Sequence, residues 1–251
     1  DRFKDQKYNR YFAGFAPTHP IIYDCLVWLY FNTLKAGDKL NLLGKLEEPE
    51  VGGKGDLYKV QGRKMTLDLL QSVSEFYSIH SCMNEIKSKR VVMCELGAGY
   101  GRLAYVFLNA VEDMTYIVMD LPGGLVFSQY YLTKIFPKEQ IMTYQQSREC
   151  KSFDRKTLEK YRIVFMAPWQ FPLIEDKTLD LFCNINSFQE MIDEHVENYF
   201  ALADRKCAGL FFIKQTYGVM NLEDVIVTEH RKYPVRKDWK LLFEKTNSLL
   251  Q

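Results

Sequence analysis

An α/β fold with a mainly parallel sheet is predicted from the way strand-like and helix-like segments alternate along the chain. Residues 91–94 form a short apolar run typical of a strand that is buried on both faces. A helix pattern follows it, because Leu103, Val106, Phe107 and Ala110 recur at the spacing of a single helix face. Repeated alternation of this kind favours parallel strands joined by right-handed crossovers.

The other elements are predicted from the same periodicities. A dense apolar segment over residues 21–36 indicates a buried helix that ends at Gly37. Thr66 is a suitable N-cap for a helix that reaches His80, and His80 continues its apolar face, which favours packing over catalysis. Further strands are expected over residues 116–119, 163–166, 179–184, 209–214, 225–227 and 239–243. Further helices are expected over residues 125–135 and after residue 191, and in the second of these Ile192 and Val196 are expected to face inward.

Two loops allow two interpretations each. Residues 47–62, with Gly52, Gly53 and Gly55, form either a flexible surface connection or a lid or substrate loop. A basic loop near the end of the chain is either a solvated hairpin tip or a phosphate contact, since arginine suits bidentate phosphate binding. Its cations are His230, Arg231, Lys232, Arg236 and Lys237.

Composition limits the classes of protein to which the chain can belong. Its 251 residues, of which 47% are hydrophobic, suffice for a sizeable core. They allow one large domain or an N-terminal helical extension and substrate-site region, residues 1–88, ahead of a domain formed by residues 89–251. The 33 basic and 32 acidic residues nearly balance, so net charge predicts no nucleic-acid partner, and a homo-oligomer stays open.

Cysteine usage and hydropathy bear on location. The six cysteines contain no C-x-x-C pair, and Cys94 and Cys183 lie in expected strands. They are expected to be small buried hydrophobes in a reducing compartment, which favours a cytoplasmic location, and no metal site is expected. The longest apolar run, residues 25–31, is too short to span a bilayer, and no signal peptide is visible.

The turn after the first strand of the expected sheet contains three glycines in five positions, Gly97, Gly99 and Gly101. A dinucleotide fingerprint reads G-x-G-x-x-G, whereas here Arg102 stands where the third glycine belongs. Glu95 is a poor neighbour for a pyrophosphate but a good one for the cationic amino acid end of S-adenosylmethionine. The pattern predicts a cofactor site formed by Glu95, Gly97, Ala98, Gly99, Tyr100 and Gly101.

A second acidic residue follows the next expected strand. Asp120 comes 19 residues after Gly101, about where a carboxylate takes the two ribose hydroxyls of a nucleoside. Leu121 is also predicted to contact the cofactor, and Pro122 suits the first turn of a helix. The alternative is that Asp120 only caps that helix.

Residues after the later strands should reach the same edge of the sheet. Trp169 follows the strand at 163–166, and its ring could stack on adenine while Gln170 bonds the adenine edge. Asn184 ends the next strand and is a further cofactor candidate. Packing of the aromatic ring on a neighbouring helix is the alternative for Trp169.

These motifs together resemble the sugar O-methyltransferase family associated with surface-polysaccharide gene clusters, a branch of the class I S-adenosylmethionine (SAM)-dependent methyltransferases. The resemblance rests on residues 95–103, 116–122 and 186–191, and extends from about residue 20 to the end. It implies a Rossmann-like fold with a mainly parallel seven-stranded sheet flanked by helices. It also implies SAM as cofactor and a hydroxyl of a sugar, nucleotide sugar or oligosaccharide as methyl acceptor.

Methyl transfer to a hydroxyl benefits from a general base, because an alcohol is a weak nucleophile. The catalytic candidates near the ligand edge are Glu190, Gln189 and His195. Ser187 and Glu190 also fit the S-x-x-E capping box, which would tie Glu190 to the backbone, and His195 lies close to the apolar helix face. The open alternatives for function are a SAM- or nucleotide-binding regulator without catalysis and a methyltransferase for a non-sugar small molecule.

Overall fold

A computed structural model describes residues 20–53, 57–215 and 233–245 of the chain. The chain divides into two compact units, each made from separate stretches. One comprises Asp1–Ser81, Gly99–Glu112 and Val126–Lys138, and the other comprises Cys82–Ala98, Asp113–Leu125 and Glu139–Gln251. The expected boundary between residues 88 and 89 stays a prediction.

The second unit contains a parallel sheet whose six strands, among the described residues, run in the order β5-β6-β4-β3-β7-β8. Every neighbouring pair is parallel, which confirms the Rossmann-like α/β class. The strands are β3 (Val91–Leu96), β4 (Met114–Met119), β5 (Ile141–Met142), β6 (Ile163–Met166), β7 (Leu179–Ile185) and β8 (Cys207–Lys214). The helices of this unit are α6 (Tyr144–Ser147), α7 (Arg155–Leu158) and α8 (Asp193–Lys206), and α5 (Pro122–Ile135) begins in it.

The strands form because they can bury side chains on both faces. All six residues of β3 and all six of β4 are buried. Cys94 and Ile117 share one face with Val196 and Phe200 of α8 in a single core cluster. Each such side chain contributes about 1.5–3 kcal/mol on leaving water. Burial of Cys94 and Cys183 confirms their expected role as small hydrophobes, and all six cysteines are free.

The predicted seventh strand is wrong for residues 239–243, which have no regular secondary structure. Trp239 instead packs its ring 4.3 Å from that of Phe211 and donates its indole N–H to Asp204 at 3.1 Å. Leu241 is 73% exposed, so the segment lacks the buried face that a strand here would need. The strand expected over residues 225–227 lies outside the described residues.

The first unit begins with α1 (Pro20–Lys35) and α2 (Leu42–Lys45), followed by α3 (Leu67–His80) and α4 (Arg102–Ala110). The N-cap prediction is confirmed, since Leu69 N–H donates to the Thr66 hydroxyl at 3.0 Å. His80 stacks on Phe76 with ring centroids 5.1 Å apart, which confirms the packing interpretation. Burial lowers the pKa of His80.

Two predictions for this unit need correction. Helix α1 is buried on one side only, because Ile21, Ile22, Trp28 and Leu29 are exposed. The segment at residues 47–62 is not loop throughout, since β1 (Tyr58–Val60) and β2 (Arg63–Met65) form an antiparallel hairpin. Its turn has positive φ at two positions, and strands of three residues are too short to show a period.

Candidate functional site

The strand order creates a switch point beside β3 in the second unit. The chain runs from β3 outward to β4 and β6, then returns to the other side of β3 to form β7 and β8. In open α/β sheets, ligands bind outside the carboxyl ends of the strands at such a point. Gly97, Asp120 and Asn186 directly follow β3, β4 and β7, so all three lie at this carboxyl edge.

The glycine loop, residues 97–101, has a backbone that favours glycine. Its φ angles are +77° at Gly97, +58° at Gly99 and +89° at Gly101. A Cβ on Gly97 would lie 2.2 Å from the Ser187 hydroxyl. The space beside Gly97 is therefore occupied by the Ser187 side chain. The N–H groups of Gly97 and Ala98 donate to the carbonyl of Met119 at 2.8 and 3.3 Å.

Tyr100 and Gly101 have packing roles within the first unit. The Tyr100 side chain is 5% exposed, and its hydroxyl lies 3.4 Å from the Asp68 carboxylate. Its ring packs edge-on against Tyr131 at 5.3 Å, and burial raises its pKa well above the ordinary value. A Cβ on Gly101 would lie 2.9 Å from Leu132. Tyr100 can therefore offer a ligand its backbone, while its side chain belongs to the core.

Glu95 is buried within β3, where its carboxylate accepts a hydrogen bond from the Tyr116 hydroxyl at 2.5 Å. Hydrogen bonds to a carboxylate are short and strong, so this contact orients Glu95. Burial, with the Glu95 charge beside it, raises the Tyr116 pKa well above its usual value. Glu95, the next-to-last residue of β3, is therefore an oriented and buried carboxylate.

Asp120 is half-buried just after β4. Its carboxylate accepts the Leu121 N–H at 2.6 Å and would lie 2.6 Å from a Cβ on Gly124. The carboxylate therefore lies over the first turn of α5, and Gly124 makes room for it. Pro122 begins α5, as predicted, and Leu121 is 63% exposed. The capping and ribose-binding interpretations are both compatible with this placement.

The loop after β6 contains the two predicted adenine contacts, Trp169 and Gln170, and they differ in exposure. Trp169 is 58% exposed and can present its ring to a ligand. Gln170 is buried, and its amide accepts the Ala167 N–H at 2.9 Å and donates to the Ser147 hydroxyl at 3.5 Å. The expected adenine contact of Gln170 therefore needs correction, because its amide is hydrogen-bonded inside the protein to Ala167 and Ser147.

Asn184 is fully buried, and its amide links the ends of three strands. Its Nδ2 donates to the Leu96 carbonyl at 3.0 Å and to the Ser187 hydroxyl at 2.6 Å. Its Oδ1 accepts the Phe188 N–H at 3.1 Å and the Gln215 side-chain amide at 2.7 Å. Asn184 therefore links the three strand ends through hydrogen bonds inside the protein. It was predicted to contact the cofactor instead. Gln215 directly follows β8, and that position is the signal by which sequence analysis could have found it.

The predicted capping box does not form. The Ser187 hydroxyl donates to the Leu96 carbonyl at 3.2 Å, and Glu190 ends a short 3-10 turn on the exposed surface. Helix α8 begins later, at Asp193, so Ile192 is an exposed cap residue and does not face inward.

Of the remaining catalytic candidates, Gln189 is half-buried and His195 is exposed on the first turn of α8. The Gln189 N–H donates to the Gln215 side chain at 3.2 Å. The packing interpretation of His195 is wrong, because the helix starts at a different residue and turns this side chain to solvent.

Asn186 was not singled out by sequence analysis. It has φ +61°, and its N–H donates to the Lys214 carbonyl at 2.8 Å. Among the described residues, its side-chain Oδ1 is one of two buried side-chain polar atoms without a hydrogen-bond partner, the other being the Tyr233 hydroxyl. The Tyr233 ring packs edge-on against that of Phe188, with ring centroids 5.8 Å apart.

The basic loop, expected to be either a solvated hairpin tip or a phosphate contact, is only partly described. His230, Arg231 and Lys232 lie outside the described residues. Arg236 donates at 2.6 Å to both Asp204 and Asp238, so its charge already has two carboxylate partners. In the described ranges, no three His, Cys, Asp or Glu side chains are grouped as metal ligands would be. No described helix is long and apolar enough to cross a membrane.

No protein-family model matches the chain, and no curated protein sequence does. Solved structures give fold-level similarities. A candidate S-adenosyl-L-methionine-dependent methyltransferase from Methanococcus maripaludis is 15% identical with a TM-score of 0.39, covering 67% of this chain and 73% of its own. The CurJ carbon methyltransferase is 13% identical with a TM-score of 0.43, covering 90% of this chain and 48% of its own. The glycopeptide N-methyltransferase MtfA, solved with SAM, is 15% identical with a TM-score of 0.36, covering 56% and 48%.

The chain thus spans about half the length of the CurJ and MtfA structures that it matches. At such low identities and TM-scores, these similarities carry no argument about chemistry. What the chain itself offers is the parallel strand order, the glycine loop and the carboxylates near the carboxyl edge of the sheet.

Proposed function

We propose that this chain is a SAM-dependent methyltransferase. The observation that carries the proposal is the glycine loop, which leaves β3 at the switch point with Asp120 at the end of the neighbouring strand β4. Because Gly97 and Gly101 face Ser187 and Leu132, we assign the close approach of a ligand, which a residue without a side chain allows, to Gly99. A half-buried carboxylate one strand away suits the paired hydroxyls of a ribose. Together they support a ligand that contains a nucleoside.

The residues present also fit the rest of SAM. Leu121 and Trp169 offer exposed apolar surface to an adenine ring, and the oriented carboxylate of Glu95 suits a cationic amino acid end. SAM would supply a methyl group on a positively charged sulfur. The protein would bind it, align it with the acceptor and exclude water, and alignment alone can contribute much of the rate.

Arg102 favours SAM over a dinucleotide. It is the first residue of α4, where the dinucleotide fingerprint has a glycine that lets the helix pack closely. Its guanidinium donates to the Ser72 hydroxyl at 2.6 Å and to the Glu75 carboxylate at 3.0 Å. A long side chain held in this way supports a different use of the loop from pyrophosphate binding.

For the acceptor, we propose a hydroxyl of a sugar or polysaccharide precursor. Its support is the family resemblance of residues 186–191. Glu190 is the proposed general base, because it is exposed next to the carboxyl edge and outside the expected capping box. Gln189 and His195 are the other candidates on the same stretch.

Calorimetric titration of the purified chain with SAM and with NAD tests the cofactor. We expect SAM to bind and NAD not to bind. Gly99→Val should abolish SAM binding, because the added side chain would occupy the ligand's space in addition to straining the backbone at φ +58°. Gly62→Val is the matched control, since Gly62 also has positive φ but has open space around it. Asp120→Ala should weaken binding by about 1–3 kcal/mol. Unchanged SAM affinity in both Gly99→Val and Asp120→Ala would refute the site.

Binding alone does not separate an enzyme from a regulator that holds SAM. Incubation with methyl-labelled SAM and a panel of nucleotide sugars, oligosaccharides and non-sugar alcohols does separate them. Label transfer to a carbohydrate supports the full proposal. Transfer only to another class of acceptor would retain the methyltransferase and refute the sugar acceptor, and binding without any transfer would favour the regulator.

A further inference from the structure

We propose that Asn186 is a cofactor-binding residue whose Oδ1 accepts a hydrogen bond from the α-ammonium group of SAM. The choice of ligand rests on the proposed function. The contact would give the carboxyl edge a recognition element for the methionine part of the cofactor, separate from Asp120 on the ribose side.

The first observation is the state of the amide. Among the described residues, Asn186 Oδ1 is one of the buried side-chain atoms that have no hydrogen-bond partner. Burial of this kind is unfavourable, because the oxygen has lost its hydrogen bonds to water and has gained none in the protein. The residue as a whole is half-buried at the sheet edge. Rotation of the side chain toward that edge therefore breaks no hydrogen bond of Oδ1 and lets the atom meet a donor.

The second observation is the backbone. Asn186 has φ +61°, which glycine adopts more easily than any other residue. The conformation is imposed from both sides, because the Asn186 N–H is bonded to Lys214 and the next residue, Ser187, lies against Gly97. Non-glycine residues held in this region cluster at ligand sites. Asparagine is among the non-glycine residues that adopt this conformation most often, so Asn186 fits the turn and places an amide where glycine would place no side chain.

The position indicates which part of the ligand it meets. Strands β4 and β7 flank β3, so Asp120 and Asn186 follow neighbouring strands on opposite sides of Gly97, which follows β3. A SAM molecule lying across the end of β3, with its ribose at Asp120, brings its methionine part to the β7 side. An amide oxygen only accepts hydrogen bonds, and the α-ammonium group is the donor on that part of the ligand.

The test compares two ligands that differ in the methionine part. S-Adenosylhomocysteine carries the α-ammonium and α-carboxylate groups, whereas 5′-methylthioadenosine lacks both. Asn186→Gly should lower the affinity for S-adenosylhomocysteine about tenfold and leave that for methylthioadenosine within about twofold, as for loss of one charge-assisted bond. Asn186→Asp should keep or raise the affinity for S-adenosylhomocysteine, because a carboxylate pairs with an ammonium group.

Asn41→Gly is the matched control, since Asn41 also has positive φ, at +55°, but follows no strand of the sheet. It should leave both affinities unchanged. Unchanged affinity for S-adenosylhomocysteine in Asn186→Gly would overturn the inference, and so would an equal loss for both ligands, which indicates a damaged loop. A wild-type chain that binds neither ligand would refute the proposed function itself.

Discussion

Replacing Gly97 by alanine should destabilise the protein by about 3–4 kcal/mol. Alanine at φ +77° costs about 1–2 kcal/mol in backbone strain. Its Cβ would also lie 2.2 Å from the Ser187 hydroxyl, so Ser187 must move. That movement breaks the bonds of Ser187 to Asn184 and to the Leu96 carbonyl, each worth about 1 kcal/mol.

Urea unfolding of four variants separates these contributions. Gly62→Ala reports backbone strain alone, since Gly62 has φ +82° and open space around it. Ser187→Gly removes the obstacle, which Ser187→Ala would not do because Ser187 Cβ also lies 2.4 Å from the new Cβ. In the double variant Gly97→Ala/Ser187→Gly, the two effects should be non-additive by about 1–2 kcal/mol. Additive free energies, or equal effects of Gly97→Ala and Gly62→Ala, would refute the steric argument.

Three further predictions concern catalysis, the core and pH. Glu190→Gln should lower turnover by roughly 10²–10⁴-fold at unchanged melting temperature, as expected for loss of a general base, and near-wild-type turnover would exclude that role. Asp180→Ala should lower the free energy of unfolding by about 2–3 kcal/mol, because the partly exposed Arg155 and the Val92 N–H lose their acceptor. A loss well below about 1 kcal/mol in chemical unfolding would contradict this. Burial lowers the pKa of His80, so the unfolded chain binds its proton first and stability falls as pH decreases through about 6.5. Melting curves of His80→Gln should therefore depend less on pH than those of the wild type, and parallel curves would contradict that.

The strands and the first helix cap were predictable because their signals are local. Strand β6 covers residues 163–166, as expected from four consecutive apolar residues, and Thr66 caps α3 through a contact only three residues along the chain. Strand β5 was missed because its two residues are too few to show a period. It exists through pairing with β6, which is a tertiary effect.

The sequence predicted which residues follow the strands, but not the use of each side chain. Sequence order places Asn184 and Gln170 near the ends of their strands, as expected. Whether an amide faces a ligand depends on which partners the fold brings to it. For Asn184, one partner is Gln215, 31 residues away, and for Gln170 it is Ser147, 23 residues away. Periodicity contains no information about contacts at such separations.

The four hydrogen bonds of Asn184 have a consequence for motion at the carboxyl edge. Because one buried amide is shared by the end of β3 and the segments after β7 and β8, releasing any one of these segments leaves unpaired polar groups on the others. The three segments should therefore open as one cooperative unit. In native-state hydrogen exchange, the amides of Phe188 and Gln189 would then share a single opening free energy and lose their protection together when Gln215 is replaced.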